Sequence, residues 1–399
     1  MRLFGQCTGL VLLAAVTSCA GHERSPMAKA TIDTLPGGII RVMSPGPTAW
    51  ADTSGWKLVE TLRIEGSEGD STIINDPMSL ALDGEGRVFV GDQSPAVIKV
   101  FDQQGRLVRT FGREGGGPGE FRVAFLTVHG PNVVVHDPQQ LRTSVFDTSG
   151  SFVRSWTSLC CYWQPIVVDR EGLVYIPGMP LSDSVGMYIR YRLDGTTRDT
   201  LLYPRGPEQK SWTFTRGSGK NQSRMSTSIP LAPGMERIIN PAGGFLSGWS
   251  ERYELVTSSN GRDTSGVFGR TWAPTPISEA RRQSIADSAI QSVGKFWGEE
   301  AARAEIHAGD VPVAAPAFTG LGVDGAGNRW VLVDPRDDTN HTWFDVFDST
   351  GVYLGQVTGP PGLTAWRMIW SGDRMLAYIE GVLGEPAVVE YAIQRTPGK

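Results

Sequence analysis

The sequence predicts an all-β fold, a six-bladed β-propeller of four-stranded antiparallel blades, on three observations. One pattern recurs: an apolar strand, an Asp-x-x-Gly turn, a second apolar strand ending near Asp, a polar loop, a strand ending Val-Phe-Asp or similar, a Gly turn, and a last strand. Its spacing is 45 residues from Asp102 to Asp147 and 47 from Asp147 to Asp194, within the range of propeller blades. The runs between the turns alternate β-branched or aromatic residues with polar ones, the period of a half-buried strand. The last copy lacks a strand while an orphan strand precedes the first, so the two ends can complete one sheet and remove its exposed edge.

Composition narrows the class. Of 399 residues 49 are Gly, and 42 acidic against 37 basic residues leave a net charge of -5. At 20% charged and 40% hydrophobic the chain can bury a core, unlike a disordered one. The absence of a basic surplus argues against a nucleic-acid partner.

The chain opens with Arg2, an apolar run from Leu10 to Val16, and Val16-Thr17-Ser18-Cys19. The run is too short to span a bilayer. The segment resembles a bacterial lipobox, which implies a signal peptide over 1–18, lipidation of Cys19, and Ala20 directing the product to the outer membrane. Residues 19–53, rich in Ser, Pro, Gly and Thr, read as a tether, and 54–399 as the propeller.

Within the propeller, 80–112 and 321–355 are the clearest copies, and weaker ones occupy 123–156, 165–203 and 238–269. Residues 366–393 supply three strands, and Trp56–Ile64 the fourth. Asp bonds its own backbone in such turns, and Gly supplies the positive φ. One stretch breaks the pattern. Residues 276–308 read as a helical insertion between blades four and five, capped by Thr275 with Pro276 at its first position. Ile277, Ile285, Ala289, Val293 and Phe296 form its apolar stripe, and Gly294 or Gly298 divides it.

With these elements in place, the chain resembles NHL-type six-bladed propellers. Phe111-Gly112 followed by Gly115-Gly116-Gly117-Pro118-Gly119-Glu120-Phe121 matches the G-x-G-P-G-x-F link between blades of that family. The match is clear over 80–160 and 318–357. The Pro that usually opens a blade is present only as Pro77 and Pro165. The resemblance implies a fold; function lives in sites rather than folds.

An up-and-down blade places its outer-to-inner loops on one face with the turns between its second and third strands. Arg113, Arg122, Tyr162, Trp163 and Trp212 fall in the first set of loops and His136 in the second, which makes them the candidate ligand-binding residues. Arginines can clamp a carboxylate or phosphate, and aromatics can stack on a ring; interblade packing and solvated ion pairs are the competing readings. Cys160-Cys161 reads as a vicinal disulfide suited to an exported protein, or as two thiols on opposite faces of a strand. The run Asp334 to Asn340 lacks the spacing of a calcium loop.

No G-x-S-x-G elbow, H-E-x-x-H pair or P-loop is present. The sequence therefore reads as a lipid-anchored binding module of the cell envelope, without cofactor or metal. Its partners would be the membrane and a small saccharide, a peptide or an envelope protein. The alternative is a hydrolase or lyase holding a metal on carboxylates at the central channel, as related propeller lactonases and lyases imply.

Overall fold

The computed structural model describes residues 29–46, 55–65, 74–158, 164–178, 186–217, 221–333, 341–364, 367–380 and 386–395. A hairpin, β1 (Thr31–Leu35) and β2 (Ile39–Ser44), precedes β3 (Lys57–Glu65). Blade one is β4 (Pro77–Leu82), β5 (Val88–Gln93), β6 (Ala96–Phe101) and β7 (Leu107–Phe111); blade two is β8 (Phe125–His129), β9 (Asn132–Asp137), β10 (Arg142–Asp147) and β11 (Phe152–Thr157). Blade three is β12 (Val167–Val168), β13 (Val174–Gly178), β14 (Met187–Tyr191) and β15 (Thr197–Leu202). An inserted hairpin, β16 (Ser211–Arg216) and β17 (Ser223–Ser228), leads to blade four: β18 (Met235–Ile239), β19 (Phe245–Trp249), β20 (Glu254–Ser258) and β21 (Thr264–Arg270). Helices α1 (Glu279–Trp297) and α2 (Glu299–Glu305) precede blade five: β22 (Gly320–Val323), β23 (Arg329–Val333), β24 (Thr342–Phe347) and β25 (Tyr353–Gly359). Blade six is β26 (Met368–Ser371), β27 (Arg374–Glu380) and β28 (Pro386–Gln394), completed by β3, which pairs antiparallel with β28. The fold is the six-bladed propeller that the repeats predict, closed by the orphan strand.

The recurring Asp now has its physical reason. Asp83 Oδ1 accepts the backbone N–H of Glu85 at 2.9 Å and of Arg87 at 2.8 Å. Asp169 does the same for Glu171 and Leu173, and Asp324 for Ala326 and Asn328. Gly86, Gly172 and Gly327 follow at positive φ, where other residues are strained. One carboxylate thus satisfies two turn donors that would otherwise go unpaired. Apolar clusters fill the seams between blades. Trp330 is fully buried, stacks on Trp370 at 4.6 Å, and donates its indole N–H to Asp324 at 3.2 Å.

Three sequence expectations are corrected. Inside the segment read as a tether, residues 31–44 form the β1–β2 hairpin, with β2 parallel to β21. Blade four therefore has six strands, in the order β1-β2-β21-β20-β19-β18. The Pro36-Gly37-Gly38 turn, with both glycines at positive φ, sits between β-formers and carries the hairpin signal that composition hid. Val42 is 5% exposed, in the core shared with blade five. Helix α1 starts later than Thr275–Pro276: Ser278 is its cap, accepting from the Arg281 N–H at 3.2 Å, and Pro276 instead bridges Ala314. Its buried stripe is Ala286, Ile290 and Val293, while Phe296 is 81% exposed. Gly298, at φ 99°, divides the two helices as expected.

Candidate functional site

Among the described residues, the sequence-derived candidates line neither of the two cavities of blade four. Arg113 pairs with Glu120 at 2.7 Å, and Glu120 also accepts from the Gly117 N–H at 2.7 Å. These bonds, the Gly117 one first, hold the Glu120 carboxyl below the usual carboxylate range. A Cβ on Gly115 would meet that carboxylate at 2.1 Å, so the Gly-rich link is a loop folded round Glu120. Arg142 ties the same loop down through the carbonyls of Gly116 and Glu120. The Arg122 side chain is exposed, and its backbone N–H donates to Asp137 at 2.7 Å.

His136 is fully buried, with Nδ1 3.1 Å from Thr143 Oγ1 and 3.3 Å from Ser158 Oγ. Burial pushes its imidazole down to about 4, so the ring is neutral at neutral pH. Trp212 is 4% exposed and donates its indole N–H to Asp310 at 3.0 Å. It packs with Phe214, Ile290 and Val293 where the β16–β17 hairpin meets the helices. Its place is in the core of this appendage, so the insertion seals the hairpin's apolar face. Cys19, Cys160, Cys161, Tyr162, Trp163 and the Asp334–Asn340 run lie outside the described residues.

The inner strands line the axis. Among the described residues their one carboxylate is Glu236, on β18. Burial pushes it up to about 7, with Arg237 pulling the other way. Among the described residues no group of three or more His, Cys, Asp or Glu is placed to hold a metal.

A cavity lies off the axis, in the seam between blades three and four. It has a volume of about 670 Å3, within the usual range of small-molecule sites. Strand alternation builds it. Met235 lies opposite Trp249, and Ser247 opposite Val256, so these side chains share one face of blade four with Glu254 and Ser258. The alternate residues Leu246, Leu255 and Phe268 face blade five. The cavity lies over the other face, on β18 to β21 and their turns. Opposite it, Tyr203, Pro204 and Arg205 follow β15 and form the far wall. Gly206 permits the approach: a Cβ there would meet Met235 Cε at 2.8 Å and Trp249 Cε3 at 2.9 Å.

The charge of this cavity is one-sided. Arg205, Arg252 and Arg262 line it with exposed side chains. Among the described residues none of the three has a carboxylate partner. Its one acidic residue, Glu254, is engaged by Arg41 at 3.2 Å. The Trp249 indole N–H is held by Glu251 at 3.2 Å, which fixes the ring. Arg237 lies 4.1 Å from the centre of the Tyr203 ring and so covers one face of it. The chemistry on offer is guanidinium forks beside a fixed aromatic face, suited to an anion attached to a ring or sugar.

Sequence reasoning took Trp212 from the long loop that begins at Arg205 and missed Trp249, Arg252 and Arg262. The signal was faint: Trp-Ser-Glu-Arg at 249–252 places an aromatic and a cation in one turn of a weak copy of the repeat.

No family model matches the chain, and no curated protein matches it. Solved structures that align over most of their length include a protein from Bacteroides fragilis described as exported. It is 11% identical, covering 89% of this chain and 99% of that one, with a TM-score of 0.46. The catalytically inactive virginiamycin B lyase of Staphylococcus aureus with quinupristin is 10% identical, covering 85% and 100%, with a TM-score of 0.42. The PQQ-bound aldose sugar dehydrogenase of Streptomyces coelicolor is 12% identical, covering 88% and 100%, with a TM-score of 0.43. What those proteins bind or cleave is theirs alone.

Proposed function

We propose that the chain is a lipid-anchored binding propeller of the NHL-repeat type, held in the cell envelope through Cys19. Its ligand is a small anionic molecule seated between blades three and four. One observation carries the binding reading: Arg205, Arg252 and Arg262 surround a single cavity, and no carboxylate among the described residues neutralises them. Arginines in this state are open to a ligand's carboxylate or phosphate, and charge-assisted forked hydrogen bonds are among the strongest a protein makes. Trp249 adds the apolar surface that orients a ring. The anchoring reading rests on Val16-Thr17-Ser18-Cys19 after a short apolar run.

Isothermal titration with galacturonate, a sugar phosphate and neutral glucose tests the site. An acidic sugar should bind and glucose should not, and Arg252→Ala should weaken the acidic sugar by about tenfold or more, equivalent to about 1.4 kcal/mol. Equal binding of glucose, or no effect of Arg252→Ala, overturns the reading. Radiolabelled palmitate should enter the wild-type chain and not Cys19→Ala; equal labelling of both removes the anchor.

A further inference from the structure

The seam cavity is not isolated. A second cavity, of about 320 Å3, lies at the end of blade four by the β19–β20 turn, where Tyr253 and Arg270 of the blade-five seam also line it, and Arg252 and Glu254 line both cavities. Its outer wall comes from the N-terminal hairpin, through Arg41 and Met43, and Trp272 closes it from the loop after β21. Arg41 lies opposite Val267, and Met43 opposite Gly269, so the hairpin continues the surface that carries Val256 and Glu254. The two cavities thus meet at Arg252 and Glu254 and form one groove that runs along blade four to its end.

Resting on the binding reading above, we infer that this groove takes an elongated acidic saccharide, a short chain of uronic acid units, and that the hairpin supplies the far half of the site. Length follows from two cavities with a shared wall. Acidity follows from Arg205, Arg252 and Arg262 in the inner cavity, whose one carboxylate, Glu254, is already paired with Arg41. A saccharide is favoured over an acidic peptide by the backbone. Strands β19, β20, β21 and β2 are each paired on both edges, so the groove presents a sheet face and no free ladder. An extended peptide docks by adding to an edge; here its own N–H and C=O groups would be buried unpaired, at a cost. A sugar chain brings hydroxyls and carboxylates that side chains can satisfy, with apolar ring faces for Trp249 and Trp272.

Titration of the full chain with galacturonate, its dimer and its tetramer tests this. In the wild type the tetramer should bind about tenfold or more tighter than the monomer. Met43→Trp, which fills the outer cavity, should bring that ratio close to one, and Arg41→Gln should lower it, with a thermal melt showing each variant folded. A wild-type ratio near one, or a ratio that both variants leave intact, overturns the inference while the inner-cavity reading survives. Tighter binding of oligoglutamate than of any acidic saccharide overturns the saccharide class. If no acidic saccharide of any length binds, this inference falls together with the reading beneath it.

Discussion

Blade four meets blade five across one face and blade three across the other, and each seam contains arginine. In the blade-five seam Arg270 is 8% exposed and lies 2.7 Å from Asp345, itself fully buried. The Tyr253 hydroxyl donates to the same carboxylate, the Tyr353 hydroxyl reaches it at 3.3 Å, and Gln356 at 3.0 Å. The Arg270 guanidinium also lies 4.5 Å from the centre of the Tyr253 ring. Burial, and then the Asp345 charge, raise both tyrosines far above their ordinary range, so neither ionises. In the blade-three seam Arg205, Arg252 and Arg262 are exposed around an open cavity. The difference separates two uses of one side chain. Where a carboxylate and aromatic rings saturate the guanidinium, it fixes how two blades meet. Where nothing does, its binding capacity remains for something outside the chain.

The strongest way to break this contrast is Asp345→Ala. It strands a buried guanidinium and removes the acceptor from two buried hydroxyls, and should cost about 3–5 kcal/mol in urea unfolding. A loss below about 1 kcal/mol would mean that apolar packing alone closes the blade-five seam.

A second test uses pH. Glu236 lies opposite Gly248, and a Cβ on Gly248 would meet Phe318 at 2.9 Å, so Glu236 is on the closed, blade-five face. Its carboxyl moves up from 4.5 to about 7 on folding. Between those values the folded chain holds a proton that the unfolded chain has released, so stability from this group falls as pH rises from about 4.5 to 7. His136 has the opposite sign. Its imidazole moves down from 6.5 to about 4, so stability from it rises with pH across that window. Between pH 4.5 and 6.5 the two slopes cancel in the wild type. Glu236→Gln should expose the His136 slope, with unfolding free energy climbing by up to about 3 kcal/mol from pH 4 to 6.5. A variant profile parallel to the wild type would show that Glu236 is hydrated in the folded chain and contributes no slope.

The contrast also marks what was legible in the sequence. The blades were, because each depends on local chemistry: a carboxylate two and four residues before the N–H groups it accepts, with glycine between. Closure was legible because a missing strand and an orphan strand match. The β1–β2 hairpin was hidden in Ser- and Pro-rich surroundings, and its partner strand β21 is more than 200 residues away. The outer cavity depends on that pairing, since Arg41 and Met43 of β2 line it. Trp212 shows the reverse error. An aromatic in a long loop looked available, yet the inserted hairpin and helices form their own core around it.

The smallest expected effect discriminates best. Arg252→Ala should change unfolding free energy by no more than about 0.5 kcal/mol, the usual range for a surface substitution away from any network. Arg270→Ala, which leaves Asp345 buried without its cation, should cost several times that. Measured side by side in urea, similar losses would show that the open seam is held by its arginines as the closed seam is, and the binding reading would lose its premise. A near-zero value for Arg252 means that its charge does nothing for the fold. Sites built for ligands commonly sit away from the stability optimum. The same substitution should then be silent in unfolding and costly in titration, a combination that a residue serving only the fold does not produce.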